Sequence, residues 1–275
     1  MAAGISLRVN NNYFRITWCR DIDPGPLKRL FAPWQVKDRI KSPEKSLNIK
    51  VSALQKGFLL KSSSFTQTLC TTIPELFSTL EFIITEEARN ALEPFLQIHS
   101  AIIDLEGKGA MIAGIHGSGK TTLALTAISS GFKALSDEVG IITDHDKTVI
   151  GFPRPFRIKD DSLYLSPSVV PSDCYSLPVS DDLSYICFEK YYVPETKLDY
   201  IFFPVRRPGD TVLQSVGETE TLQQLLPQGF NFYKAPDGRA GDLIKLITKV
   251  QVYEILYQDH WDAIARIRDL MSNRT

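Results

Sequence analysis

The sequence predicts an α/β chain: a small, mostly-β unit over residues 1–84, then a mixed-sheet domain over residues 85–275 that ends in helices. Three observations lead there. Short segments alternating polar and apolar residues lie between Ile5 and Leu60. A strand-like run, a glycine-rich turn and a helix-like run follow one another from Ala110 to Gly131. From Thr219 onward, apolar residues recur at spacings of three and four.

In the first unit, Ile5-Ser-Leu-Arg-Val and Tyr13-Phe-Arg-Ile-Thr-Trp flank Asn10-Asn-Asn and read as a hairpin. Leu47 to Val51 and Gly57 to Leu60 read as further strands, with a loop through Lys41 to Lys45 before them. Thr85 reads as the N-cap of a helix whose acidic first turn, Glu86 and Glu87, suits the helix dipole, and Pro94 should kink or end it. The domain boundary is placed there. Ala101 to Leu105 and Ala110 to Ala113, joined by Glu106-Gly-Lys-Gly, read as an antiparallel hairpin. The helix that follows runs to Ser130 and stops at Gly131. Val139 to Thr143 and Thr148 to Phe152 form a strand pair around Asp144-His-Asp-Lys, and Tyr185 to Phe188 and Tyr200 to Pro204 are further strands. Helices are expected at Thr219 to Leu226, Gly241 to Gln258 and Trp261 to Met271.

With 31 Lys and Arg against 32 Asp and Glu, no global field attracts nucleic acid or an anionic membrane, and neither is expected as a partner. Cys19, Cys70, Cys174 and Cys187 are scattered without CxxC spacing, which argues for a reducing compartment. The N-terminus has no basic stretch followed by an apolar run, and no segment approaches the length of a membrane span, so a cytoplasmic location is expected.

The chemistry concentrates in Gly114-Ile-His-Gly-Ser-Gly-Lys-Thr, which fits G-x-x-x-x-G-K-[ST]. Gly114, Gly117 and Gly119, with Ser118 between them, let successive backbone N–H groups converge on an anion. Lys120 supplies a point charge for the β and γ phosphates, Thr121 a hydroxyl for Mg²⁺, and the helix continuing through Thr122 its positive N-terminal end. At average residue frequencies the pattern arises by chance in about one chain of this length in a hundred. An acidic pair, Asp137 and Glu138 in Leu135-Ser-Asp-Glu-Val, follows Lys120 by 17 and 18 residues. Adjacent acids entering a strand point to opposite faces, so at most one meets the phosphates directly, while the other reaches the metal through water or faces solvent. A solvated loop is the competing reading. In Phe152-Pro-Arg-Pro-Phe-Arg-Ile-Lys, Arg154, Arg157 and Lys159 suit ATP phosphates or an acidic peptide.

From His99, the stretch HSAIIDLEGKGAMIAGIHGSGKTTLALTAISSGFKALSDEVGII resembles the catalytic domain of the HPr kinase/phosphorylase family, including its acidic pair. LSDE at 135–138 and the PRP at 153–155 are similar to the HPr-kinase-related serine kinases of peptide-modifying systems. The resemblance implies a P-loop core shared with phosphoenolpyruvate carboxykinase, a requirement for ATP and Mg²⁺, and a protein or peptide substrate carrying an acceptor serine. It implies that Lys120 and Thr121 hold phosphates and Mg²⁺ and that Asp137 helps to deprotonate the serine. Glu138 would be the second acid, and with Asp137 a candidate metal group, and His99 would lie by the transferring phosphate. Pro204-Val-Arg-Arg-Pro-Gly-Asp is similar to a basic loop near the family's acceptor site, which gives Arg206 or Arg207 the task of neutralising transition-state charge. The family's hexamer leaves a homo-oligomer open.

Two substitutions depart from the HPr kinases, Thr122 in place of glutamate and Glu138 in place of aspartate, and their glycine-rich signature with a glutamate is missing. Removal of phosphate from phosphoserine and HPr as substrate are therefore less well supported than kinase chemistry. Two rival functions are a nucleotide-binding adaptor that transfers nothing and a carboxykinase-like enzyme acting on a small molecule. The latter needs metal-binding histidine and lysine positions that the sequence does not offer.

Overall fold

The computed structural model describes residues 3–9, 12–18, 22–36, 46–62, 67–143, 147–159, 169–234 and 236–272. Cys19, His145, most of the Asn10-Asn-Asn turn, the loop at Lys41 to Lys45 and the turn at 144–146 lie outside the described residues. The chain divides into two compact units.

The first unit comprises residues 1–92, 154–161 and 174–189. Its five-stranded sheet runs in sequence order through β1 (Ala3–Val9), β2 (Asn12–Trp18), β3 (Ser46–Leu54), β4 (Gly57–Ser62) and β5 (Thr68–Cys70). The hairpin is present, with Ile5 opposite Ile16, and its period-two pattern buries Ile5, Leu7, Val9, Phe14, Ile16 and Trp18 on one face. β2 and β3 are parallel, which requires a crossover, and α1 (Pro24–Leu30) lies in that connection, capped by the Asp23 carboxylate accepting from Gly25 N–H at 3.0 Å.

α2 (Ile73–Ala91) corrects the expected helix start. Thr72, not Thr85, is the cap: its Oγ1 accepts from Glu75 N–H at 3.2 Å, while the Glu75 carboxylate accepts from the N–H and hydroxyl of Thr71 at 2.6 and 2.7 Å. Thr85 lies buried inside the helix, so the boundary expected near residue 85 falls mid-helix. The unit is also discontinuous. The returning segments build a second antiparallel sheet in the order β11 (Phe156–Lys159), β13 (Leu183–Cys187), β12 (Tyr175–Ser180).

The second unit comprises residues 93–153, 162–173 and 190–275. Its eight-stranded mixed sheet contains β6 (Leu96–Leu105), β7 (Lys108–Ala113), β8 (Lys133–Ser136), β9 (Val139–Ile142), β10 (Thr148–Ile150), β14 (Glu195–Arg206), β15 (Val212–Ser215) and β16 (Gln251–Tyr257). β6 and β7 form the expected antiparallel hairpin, with β9 and β8 against the other edge of β6. β14 is parallel to both β7 and β16, so three parallel strands end on the same side. Strand residues Ile98, Ile102, Met111, Ile201 and Phe203 form a core with Leu225 of α4 (Glu218–Leu225) and Leu243 and Leu246 of α5 (Pro236–Ile247). α3 (Lys120–Ser129) and α6 (His260–Ser272) pack together, and the guanidinium of Arg268 donates to the Ser130 carbonyl. The single helix expected over 241–258 is wrong: α5 ends at Ile247 and the chain continues as β16.

Candidate functional site

β7 delivers the chain into the glycine loop, and α3 carries it away. Gly119 caps α3 at φ 95°, ψ 11°, a left-handed conformation costly for a residue with a Cβ, and Gly117 is also left-handed at φ 80°. A helix N-terminus with converging amides at the carboxyl ends of parallel strands favours an anion. Lys120 is buried, and its Nζ donates to the carbonyls of Gly114 at 2.8 Å and Ile115 at 3.0 Å, curling the side chain back over the loop. Ser118 N–H donates to Ile115 O at 3.2 Å. Thr121 and Thr122 are half-buried on the first turn of α3, and Thr122 O accepts from Thr126 Oγ1 at 2.8 Å.

The acidic pair occupies the two-residue link between β8 and β9. Ser136 fixes this link, its Oγ accepting from the N–H groups of Glu138 at 3.3 Å and Val139 at 3.1 Å, while Glu138 O accepts from Ser100 N–H at 3.2 Å. Asp137 is 4% exposed, whereas the Glu138 side chain is 34% exposed. Burial lowers the Lys120 pKa, and the charges of Asp137 and then Glu138 draw it back up. Both acids thus act on the loop lysine.

His99 lies within β6, opposite Val139, with Nε2 3.6 Å from Glu138 Oε1. Burial foremost, then the Lys120 charge, lowers its pKa, while Glu138 and a hydrogen bond with the Gln228 side chain act in the opposite direction. The ring also meets Phe230, centroids 5.7 Å apart, and Phe230 N–H donates to Gln97 O at 3.0 Å. Gln228 and Phe230 were not legible as site residues because their approach depends on a contact between distant segments.

Arg206 ends β14, opposite Tyr257 at the end of β16, and Arg206 and Arg207 are exposed. Arg206 shares an open cleft with Asp210, Asp259 and Asp262. Arg154 departs from its expected role as a phosphate contact. It is 5% exposed in the first unit, and its Nη2 lies 2.8 Å from Glu81 Oε1, so its charge is met by a buried carboxylate. Among the described residues, Cys70, Cys174 and Cys187 are not joined in disulfides, and no helix is long and apolar enough to cross a membrane.

These features define an α/β chain whose glycine loop opens a helix beside a carboxylate pair and a histidine. Over part of its length the chain is similar to proteins named HPr kinase/phosphorylase. It is 30% identical over 89 residues to that of Shouchella clausii, 33% over 73 residues to that of Lactobacillus johnsonii and 34% over 68 residues to that of Clostridium botulinum. The matches cover 30%, 26% and 25% of this chain and only 29%, 23% and 22% of the relatives. The Hpr(Ser) kinase/phosphatase structure from Coxiella burnetii aligns with a TM-score of 0.33 and 14% identity, over 64% of this chain and 97% of that one. No model of a protein family matches the chain.

Proposed function

We propose that this chain is an ATP- and Mg²⁺-dependent serine kinase that transfers the γ-phosphate to a serine hydroxyl of a protein or peptide. The observation that carries this reading is that the link between β8 and β9 holds Asp137 and Glu138 near enough for both charges to act on the lysine of the glycine loop. A phosphate loop alone serves many chemistries; a loop with a buried carboxylate beside its lysine supplies both a phosphate grip and a proton acceptor. The partial similarity to proteins named HPr kinase/phosphorylase supports the same class.

In this reading, the amides of Gly117 to Thr121 and the Lys120 ammonium hold the β and γ phosphates. The Thr121 hydroxyl and the carboxylates of Glu138 and Asp137 are hard oxygen donors of the kind Mg²⁺ takes alongside phosphate oxygens and water. When bound, that ion would supply charge neutralisation at the phosphates. Asp137 accepts the serine proton as the serine oxygen bonds to phosphorus and the bond to the ADP oxygen breaks. His99, held neutral by its surroundings, packs against Glu138 and orients it. Arg206 and Arg207 approach the transferred group from the end of β14.

Asp137→Asn and Lys120→Ala test the reading against a nucleotide-binding adaptor. Asp137→Asn should retain ATP binding and lose phosphoserine formation on a serine-peptide panel and cell extract, read by mass spectrometry, whereas Lys120→Ala should lose both. An Asp137→Asn protein that still forms phosphoserine at the wild-type rate refutes the assignment of the base.

A further inference from the structure

Tyr257 is the last residue of β16 and is 4% exposed, yet its hydroxyl is directed at the glycine loop. A Cβ built on Gly119 would stand 2.6 Å from Tyr257 Oη. At the other end of the loop, Pro204 Cδ of β14 lies 3.7 Å from the corresponding point on Gly114. The loop is therefore bounded at its first and last glycine by the two strands parallel to β7. Main-chain bonding fixes Tyr257 in this place, because Arg207 N–H donates to its carbonyl at 2.8 Å and Arg206 is its register partner.

Nothing in the packing uses the hydroxyl. Among the described residues, no protein group makes a hydrogen bond with Tyr257 Oη, and the oxygen itself is not fully buried, so it is open to solvent or to a ligand beside Gly119. It sits beside Gly119, the residue that caps the N-terminus of α3. Burial raises its pKa and the nearby Arg206 charge opposes that rise, so the phenol stays protonated and remains a donor at neutral pH.

We propose that Tyr257 Oη is a phosphate ligand contributed to the glycine loop by β16, donating a hydrogen bond to a non-bridging phosphate oxygen of the bound nucleotide. This assignment rests on the nucleotide-binding reading above. It adds a donor beyond the loop motif, from a strand whose sequence carries no phosphate signature.

The test is titration calorimetry of wild type, Tyr257→Phe and Lys120→Ala with ATP and, separately, with pyrophosphate, which has phosphates but no base. Losing one hydrogen bond to a charged group should weaken ATP binding by Tyr257→Phe roughly tenfold or more, with a comparable loss for pyrophosphate. The ligand-free unfolding midpoint should not change, because the hydroxyl holds no protein group; a merely structural hydroxyl would give the reverse pattern. Unchanged ATP affinity in Tyr257→Phe, with affinity lost in Lys120→Ala, overturns the ligand role and leaves Tyr257 as packing. A loss for ATP but not for pyrophosphate also overturns it. If wild type binds neither probe, the nucleotide reading itself fails and this assignment falls with it.

Discussion

Replacing Arg154 with methionine separates a structural role from the phosphate-binding role its sequence context suggests. Glu81 is 1% exposed. Its Oε1 accepts from Thr85 Oγ1 at 2.8 Å and faces Arg154 Nη2 at 2.8 Å, and its Oε2 accepts from Tyr185 at 3.3 Å. Arg154→Met leaves that carboxylate buried with two neutral donors and no countercharge. Breaking one side of a buried ion pair costs about 3–5 kcal/mol, whereas replacing both sides with apolar groups of similar volume is often near neutral. Arg154→Met should therefore lower the stability of the first unit by an amount in that range, and Glu81→Leu combined with Arg154→Met should recover most of it. Urea unfolding followed by tryptophan fluorescence reads the loss, and ATP titration of the folded fraction should show unchanged affinity. The reasoning is refuted if Arg154→Met unfolds within about 1 kcal/mol of wild type, the range of an exposed pair, while its ATP affinity falls.

Three further outcomes follow from the same geometry. Gly119→Ala requires a left-handed alanine with its Cβ 2.6 Å from Tyr257 Oη, and should abolish ATP binding in calorimetry; wild-type affinity would contradict the loop geometry. Cys187 is 6% exposed and its thiol is pushed up to about 12 by burial, then by Cys174 and Glu81, so at pH 8 its thiolate fraction is on the order of one in ten thousand. Half-buried Cys174 should therefore be alkylated by iodoacetamide well before Cys187 in native peptide mapping, and equal rates would refute the burial argument. His99 has its pKa held below the ordinary imidazole value, so its contribution to stability is present above that value and lost as pH falls through the folded pKa. NMR titration should place its midpoint below that of a free imidazole, and a midpoint above it would contradict the dominance of burial and Lys120.

The glycine loop was legible because its chemistry is local: Gly114, Gly117, Gly119, Lys120 and Thr121 are set by their spacing alone, and the flanking runs of β7 and α3 are mostly apolar and mostly buried. The acidic pair was legible as a motif, although Ser136, which fixes the link, was not assigned a role. Other errors have physical causes. Thr85 looked like a cap because acids follow it, but Thr72-Ile-Pro-Glu carried the stronger box, with Pro74 in the first turn. Val252, Ile255 and Leu256 fit a helical stripe, yet the segment is a strand paired on both sides by β14 and β15, and its type was decided by those partners. The return of residues 154–161 and 174–189 to the first unit depends on packing against distant residues, such as Arg29 over the Tyr175 ring at 4.3 Å and Arg154 on Glu81. No local pattern encodes such pairings. Tyr257 illustrates the same limit within the second unit, because its approach to Gly119 requires the order of three parallel strands.

The central claim is that Lys120 and the acidic pair form one phosphoryl-transfer site. Single-turnover transfer from γ-labelled ATP with Mg²⁺ to acceptors in an extract of the source cell tests it most directly, comparing wild type with Lys120→Ala and Asp137→Asn. The account predicts an acid-stable labelled phosphoserine with wild type and none with either variant, while Asp137→Asn still binds ATP. Tight ATP binding by wild type without a labelled acceptor would contradict it and favour the adaptor.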